Sequence, residues 1–142
     1  MGLILDTSIL VAAERRTLSL GALLASVPGE PVGIAALTAT ELLHGCHRAA
    51  DAGTRARRFA FVEALLDRVP VYAFGLVEAR RHAELWAGLV REGSLIGAHD
   101  MLIGATALAR GCTLATLNAC DFRRVPGLRL LAVHPFVTRQ AR

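Results

Sequence analysis

Apolar positions along the chain fall into short strand-like blocks separated by longer stretches with helical spacing. Gly2–Leu5 is a brief apolar run closed by Asp6, after which Thr7–Arg15 reads as helix. A weaker helix at Leu18–Ser26 is broken by Pro28, Gly29 and Pro31, and Pro31–Ala35 reads as a short strand. Thr38 or Thr40 can cap a helix reaching about Ala50, and Gly53 separates it from another at Thr54–Asp67. Val69–Phe74 is a strand candidate, followed by a long amphipathic helix over Leu76–Glu92. Gly93 and Gly97 frame a loop, His99–Ala109 is helical until Gly111 stops it, and Thr113–Leu117 is a strand. A short turn around Asp121 leads to the last strand, Leu128–Val133. Such alternation predicts an α/β layered architecture around a mostly parallel sheet.

Length and composition fit one domain over residues 1–142: 54% of residues are hydrophobic, enough for a sizeable core and too many for a disordered chain. Aromatics are 5%, so that core is built from Ala, Leu and Val. All 16 basic residues are Arg, and the absence of Lys excludes a P-loop and a Schiff-base enzyme. Three cysteines, an odd number with no CxxC, argue against a disulfide framework or a zinc knuckle. No apolar run is long enough to span a bilayer, since Asp6 and Glu14 interrupt the N-terminal one, and that segment lacks the positive start of a signal peptide. These features predict a cytoplasmic protein with no membrane partner.

Charge is unevenly placed. Residues 1–121 carry 11 Arg against all 12 acids, whereas residues 122–142 carry Arg123, Arg124, Arg129, Arg139 and Arg142 and no acid. A second basic cluster, Arg48, Arg55, Arg57 and Arg58, is opposed only by Asp51. Clusters of this kind can attract a phosphate backbone, and can equally be solvated surface.

Four acids sit in apolar or strand-end surroundings. Asp6 follows the first strand in LILDTS, Glu41 lies early in a helix in TATELLHG, Asp100 opens a helix in IGAHDMLIGATALA, and Asp121 follows a strand in NACDF. All four map to one edge of a parallel sheet or to helix N-termini abutting it, where α/β proteins keep their sites. Singly, Asp6 or Asp100 could be a helix cap, Glu41 a solvated helix residue and Asp121 a turn residue. Together, carboxylates converging in a partly dry cleft repel one another, and a divalent cation is the usual remedy. Carboxylate and water ligands suit Mg²⁺ or Mn²⁺ rather than zinc. Thr7, Ser8, Thr116 and Asn118, the chain's one asparagine, offer neutral groups beside these acids. His44 follows Glu41 by three residues, a pairing that binds transition metals only with further ligands, and His99 can line the cleft. Trp86 reads as core or interface. GxGxxG and GxSxG are both absent, which removes the dinucleotide fold and the α/β-hydrolase elbow.

With these residues in place, the sequence resembles a PIN-domain ribonuclease, specifically the VapC-type toxins of bacterial toxin–antitoxin pairs. The resemblance is carried by LILDTSILVAAER, TATELLHG and GSLIGAHDMLIGATALARGCTLATLNACDFRRVPGLRL, and covers essentially the whole chain. It implies a three-layer α/β/α domain, a divalent-metal site (Mg²⁺, with Mn²⁺ possible) and cleavage of RNA. Homodimers, larger assemblies with antitoxin such as a heterotetramer, and inhibition by a cognate antitoxin are implied with it. Matched by position, Asp6, Glu41 and Asp100 are metal-site carboxylates, with Ser8 the small polar residue beside the first. Some members carry an acid where this chain has Asn118 and others where it has Asp121, so here Asp121 alone can be the fourth carboxylate.

The mechanism so implied is phosphodiester hydrolysis by metal-activated water. Asp6 and Asp100 hold one ion, Glu41 binds it through water or acts as base, and Asp121, helped by Asn118 and Thr116, fixes a second ion or its waters. Arg48, Arg55, Arg57, Arg58, Arg123 and Arg124 are the expected RNA-backbone contacts. Leu18–Ser26 and Thr38–Ala50 are expected to frame a groove for a partner helix, whose Arg could pair with a site carboxylate. The rival readings are a non-toxin PIN-type RNA-processing nuclease and a catalytically silent metal- or RNA-binding module of the same fold.

Overall fold

The computed structural model describes residues 1–138. Five strands, β1 (Leu3–Leu5), β2 (Val32–Ala35), β3 (Val71–Tyr72), β4 (Thr113–Ala115) and β5 (Leu130–Leu131), form one sheet in the order β3-β2-β1-β4-β5. Every pairing is parallel, with Leu3 opposite Val32 and Thr113, Ile34 opposite Val71, and Leu114 opposite Leu130. The helices are α1 (Thr7–Glu14), α2 (Leu20–Ala25), α3 (Ala36–His47), α4 (Ala52–Arg68), α5 (Leu76–Glu92), α6 (Ala98–Ala109) and the single turn α7 (Ala119–Phe122).

Strand alternation sorts the core into two layers. Leu3, Leu5, Ile34 and Ala115 point to one face, where they meet Ile9, Leu10, Leu23, Leu42, Cys46 and Val62 of α1 to α4. Ile4, Ala35 and Leu114 point to the other, against Leu85, Leu89, Ile103, Ala107 and Phe122 of α5 to α7. The result is the expected α/β/α sandwich, its sheet covered on both faces as parallel sheets require.

Order of connection decides where a site can form. From β1 the chain moves to β2 and then β3, whereas β4 returns to the other side of β1. The chain therefore diverges at the carboxyl ends of β1 and β4, opening a crevice there. The backbone N–H of Asp6 donates to the Ala115 carbonyl at 2.9 Å and holds the two strand ends together.

Several boundaries differ from the sequence expectation. α3 starts at Ala36 directly from β2, and Thr38 is a fully buried helix residue, not a cap. α4 begins at Ala52 because Oδ1 of Asp51 accepts the Thr54 N–H at 2.8 Å, which puts Gly53 inside the first turn. The strands expected at Val69–Phe74 and Leu128–Val133 shrink to two residues each, the span over which their neighbours pair with them. The turn at Asp121 is the helix α7. Trp86 is half exposed on α5 and so is not core. Arg139 and Arg142 lie outside the described residues.

Candidate metal and phosphodiester site

Asp6 occupies the N-cap position of α1, yet its side chain makes no capping bond. Instead, Oδ2 accepts the hydroxyls of Ser8 at 2.7 Å and Thr116 at 2.8 Å. Each hydroxyl is in turn oriented from behind by a backbone amide: Leu117 N–H donates to Ser8 Oγ at 3.0 Å and Asn118 N–H to Thr116 Oγ1 at 2.9 Å. Asp6 Oδ2, which can only accept as a carboxylate oxygen, takes the proton of each hydroxyl. The carboxylate is buried, 4% exposed, and among the described residues no hydrogen bond reaches its Oδ1.

The other acids follow one pattern. Asn118 Nδ2 donates to Asp100 Oδ2 and to Asp121 Oδ2, each at 3.1 Å. Thr7 Oγ1 donates to Glu41 Oε1 at 2.8 Å, and the buried Thr38 hydroxyl lies 3.3 Å from Thr7 Oγ1. Each of the four carboxylates thus has one oxygen tied by a neutral donor, an arrangement that aims the second oxygen without neutralising it. Among the described residues no arginine lies within ion-pair distance of Asp6, Asp100 or Asp121. The nearest cation-capable group is His99, whose Nδ1 stands 3.6 Å from Glu41 Oε2 on an exposed ring. Burial first, and then the charges of Asp6, Asp121 and Glu41, push the Asp100 carboxyl above its ordinary range, with the Asn118 amide opposing them.

Asp6, Glu41, Asp100 and Asn118 line one cleft of about 480 Å³, with Ser8, Thr7 and Arg15 on its walls. Asp121 reaches this group through the Asn118 amide. The donor set is all oxygen and uncompensated, which fits a hard divalent ion. Among the described residues no three His, Cys, Asp or Glu side chains stand close enough to grip an ion by themselves. An ion here takes its remaining ligands from water or phosphate, as Mg²⁺ commonly does. His44 is exposed and joins no such group.

The arginines divide. Arg48 and Arg58 line a second concavity of about 520 Å³ between α1, α3 and α4, which shares Val11, Arg15 and Glu41 with the cleft. Arg58 is partly spent there, donating to the Gly45 carbonyl at 3.0 Å. Arg123 lines a third concavity beside β5 that shares Leu117 with the cleft. Arg55, Arg57 and Arg124 line none of these, and their guanidinium groups donate to Ala49 O, Thr54 Oγ1 and Leu95 O. Sequence reading missed Arg15, which sits at the rim shared by two concavities. Its signal was position alone, at the C-cap of the helix that Asp6 opens.

The groove beside α3 is framed by α1, α3 and α4; α2, expected to border it, packs instead against α1 and the turn at His134–Phe136.

A PIN domain family model matches residues 3–128. The ribonuclease VapC1 of Rickettsia felis is 39% identical to this chain over 133 residues, 94% of this chain and 97% of that protein. The tRNA(fMet)-specific endonuclease VapC of Salmonella typhimurium is 30% identical over 97 residues, 68% of this chain and 71% of that protein. A chain in the crystal structure of VapBC2 from Rickettsia felis, bound to a DNA fragment from their promoter, superposes with a TM-score of 0.84. That match has 26% identity and covers 92% of this chain and 98% of that one.

Proposed function

The chain belongs to the PIN-domain family, among its VapC ribonucleases, and from that premise we propose an endoribonuclease toxin that uses a divalent ion, Mg²⁺ or Mn²⁺, and is neutralised by an antitoxin protein. The observation that carries the reading is the set of four carboxylates, each with one oxygen tied by a neutral donor, in a cleft where no arginine pairs with Asp6, Asp100 or Asp121 among the described residues.

Asp6, Asp100 and Glu41 are the residues that would hold the metal, with Asp121 tied to Asp100 through the Asn118 amide. A bound divalent ion supplies polarisation of the phosphate and acidifies a water molecule. The remaining work belongs to the chain. Ser8 and Thr116 hold the Asp6 carboxylate in place at the cleft. Glu41 Oε2, the oxygen that Thr7 leaves free, takes the proton of the water that attacks phosphorus. Arg15, Arg48 and Arg123, spread across the three adjoining concavities, hold the flanking phosphates of an RNA strand. An RNA target and three free thiols suit a cytoplasmic setting.

The antitoxin would lay a helix into the groove between α1, α3 and α4, whose floor is Val11, Leu42, Cys46 and Val62 and whose rim carries Glu14 and Glu41. An antitoxin arginine reaching the carboxylates would compete with the metal.

The test is cleavage of a mixed RNA pool by antitoxin-free protein with Mg²⁺, with Mn²⁺ and with EDTA. Asp6→Asn and Asp100→Asn variants are assayed in parallel, with circular dichroism to check their fold. Metal-dependent cutting that is lost in folded variants supports the reading; cutting that survives EDTA or both substitutions overturns it.

A further inference from the structure

The side chain of Asn118 occupies an unusual place: one amide nitrogen is 3.1 Å from Asp100 Oδ2 and 3.1 Å from Asp121 Oδ2. Both contacts are to carboxylates, so the group facing them is the NH₂, and its two hydrogens are both used. The amide is held there from its own backbone, because Asn118 N–H is anchored on Thr116 Oγ1 at 2.9 Å, and that hydroxyl is anchored on Asp6. The side chain sits at the start of α7, half-buried, between the helix that carries Asp100 and its own.

We infer that the Asn118 amide stands where a second ion would bridge Asp100 and Asp121, so that this cleft takes one divalent ion, on the Asp6, Asp100 and Glu41 side. The inference rests on the metal reading above. Two-ion phosphodiester sites hold their ions about 3.5–4 Å apart, with carboxylates bridging or flanking both. Mg²⁺ needs its oxygens at about 2.0–2.1 Å. An ion drawing together the two oxygens that face Nδ2 would have to displace the amide and break both of its bonds. The amide meanwhile does part of an ion's work, since two N–H dipoles offset the repulsion between Asp100 and Asp121 without adding a charge. Asp121 then acts as a positioning residue, holding Asn118 and through it Asp100.

Titration calorimetry with Mn²⁺ on the full antitoxin-free chain reads the number of ions directly, and Mn²⁺ electron paramagnetic resonance reads their proximity. The wild-type chain should bind one equivalent and show the six-line spectrum of an isolated ion. Asn118→Asp removes the donor and supplies a carboxylate, and should bind two equivalents with an exchange-broadened spectrum. Asn118→Ala removes the amide with little demand on the fold and should also admit a second, weaker equivalent, so the question stays decidable if the acid variant fails to fold. Two equivalents in the wild-type chain, or one in a folded Asn118→Ala, overturns the inference while leaving the metal reading intact. No binding by the wild-type chain overturns the metal reading itself.

Discussion

The hydroxyl of Thr7 donates to Glu41 Oε1 at 2.8 Å, joining the first turn of α1 to the second turn of α3 across the cleft. Glu41 is the one site carboxylate whose helix lies between β2 and β3 in the chain, away from the β1–β4 crevice, and this bond is what turns it inward. Thr7→Val should lower kcat/KM about 10- to 100-fold, the effect of losing one hydrogen bond to a charged group, about 1.5–3 kcal/mol. Thr7→Ser should restore most of it. Steady-state RNA cleavage over a range of Mg²⁺ concentrations, with thermal melts alongside, separates this from a folding defect: the Val variant should need more Mg²⁺ at nearly unchanged melting temperature.

Crowding at Asp100 gives a pH signature. Its carboxyl is raised by burial and by Asp6, Asp121 and Glu41, so the folded chain holds that proton where the unfolded chain has released it. Without metal, stability from this group falls as pH climbs from the ordinary aspartate range through the raised folded value, and the cost is complete above it. Asp100→Asn should therefore melt higher than wild type at neutral pH in EDTA, the difference closing at acid pH. Adding Mg²⁺ should reverse the order, since the ion binds the folded wild type. Equal melting of the two proteins in EDTA at all pH values contradicts this account.

Much of this site was legible because it is built at strand ends. Asp6 and Asp121 follow apolar runs, and Asp100 opens a helix after a glycine-framed loop, so parallel pairing alone brings them to one edge. The division of labour among the polar neighbours was not legible. Whether Thr38 caps a helix or backs Thr7 from inside one depends on α3 starting flush with β2, which propensity does not encode. Arginines at 55, 57 and 58 look alike in a charge count, yet Arg58 turns to the groove while Arg55 and Arg57 bond local oxygens. Side-chain direction on α4 decides between them, and it comes from packing.

Gly33 shows a constraint invisible in sequence. A Cβ there would lie 2.6 Å from Cε2 of Tyr72 and 2.9 Å from the Pro70 carbonyl, because the Tyr72 ring folds back over β2 beneath the Arg110 guanidinium, 4.3 Å from its centroid. The carbonyl is backbone and already accepts from Ile34, so it cannot simply move aside. Gly33→Ala should destabilise the fold by about 1–3 kcal/mol, the usual range for overpacking. Urea unfolding measures this, and adding Tyr72→Ala should recover only part of the loss, because the Pro70 clash remains.

RNA binding should separate the arginines that face the concavities from those that do not. In an Asp6→Asn background, in which cutting should be lost, affinity for a single-stranded RNA can be followed as salt rises. Each phosphate contact on a single strand adds about 0.7 to the slope of log affinity against log salt. Arg15→Ala, Arg48→Ala and Arg123→Ala should each weaken binding and each flatten the slope by about that amount. Arg15 is the sharpest case, because it borders both the acidic cleft and the groove beside α3. Arg55→Ala should leave the slope unchanged, since its guanidinium donates to the Ala49 carbonyl at 3.2 Å and it lines neither the acidic cleft nor the two concavities that adjoin it. A uniform loss across all four variants would mean that RNA responds to net charge alone. A loss confined to Arg55 would place the strand on the outer face of α4, away from the cleft.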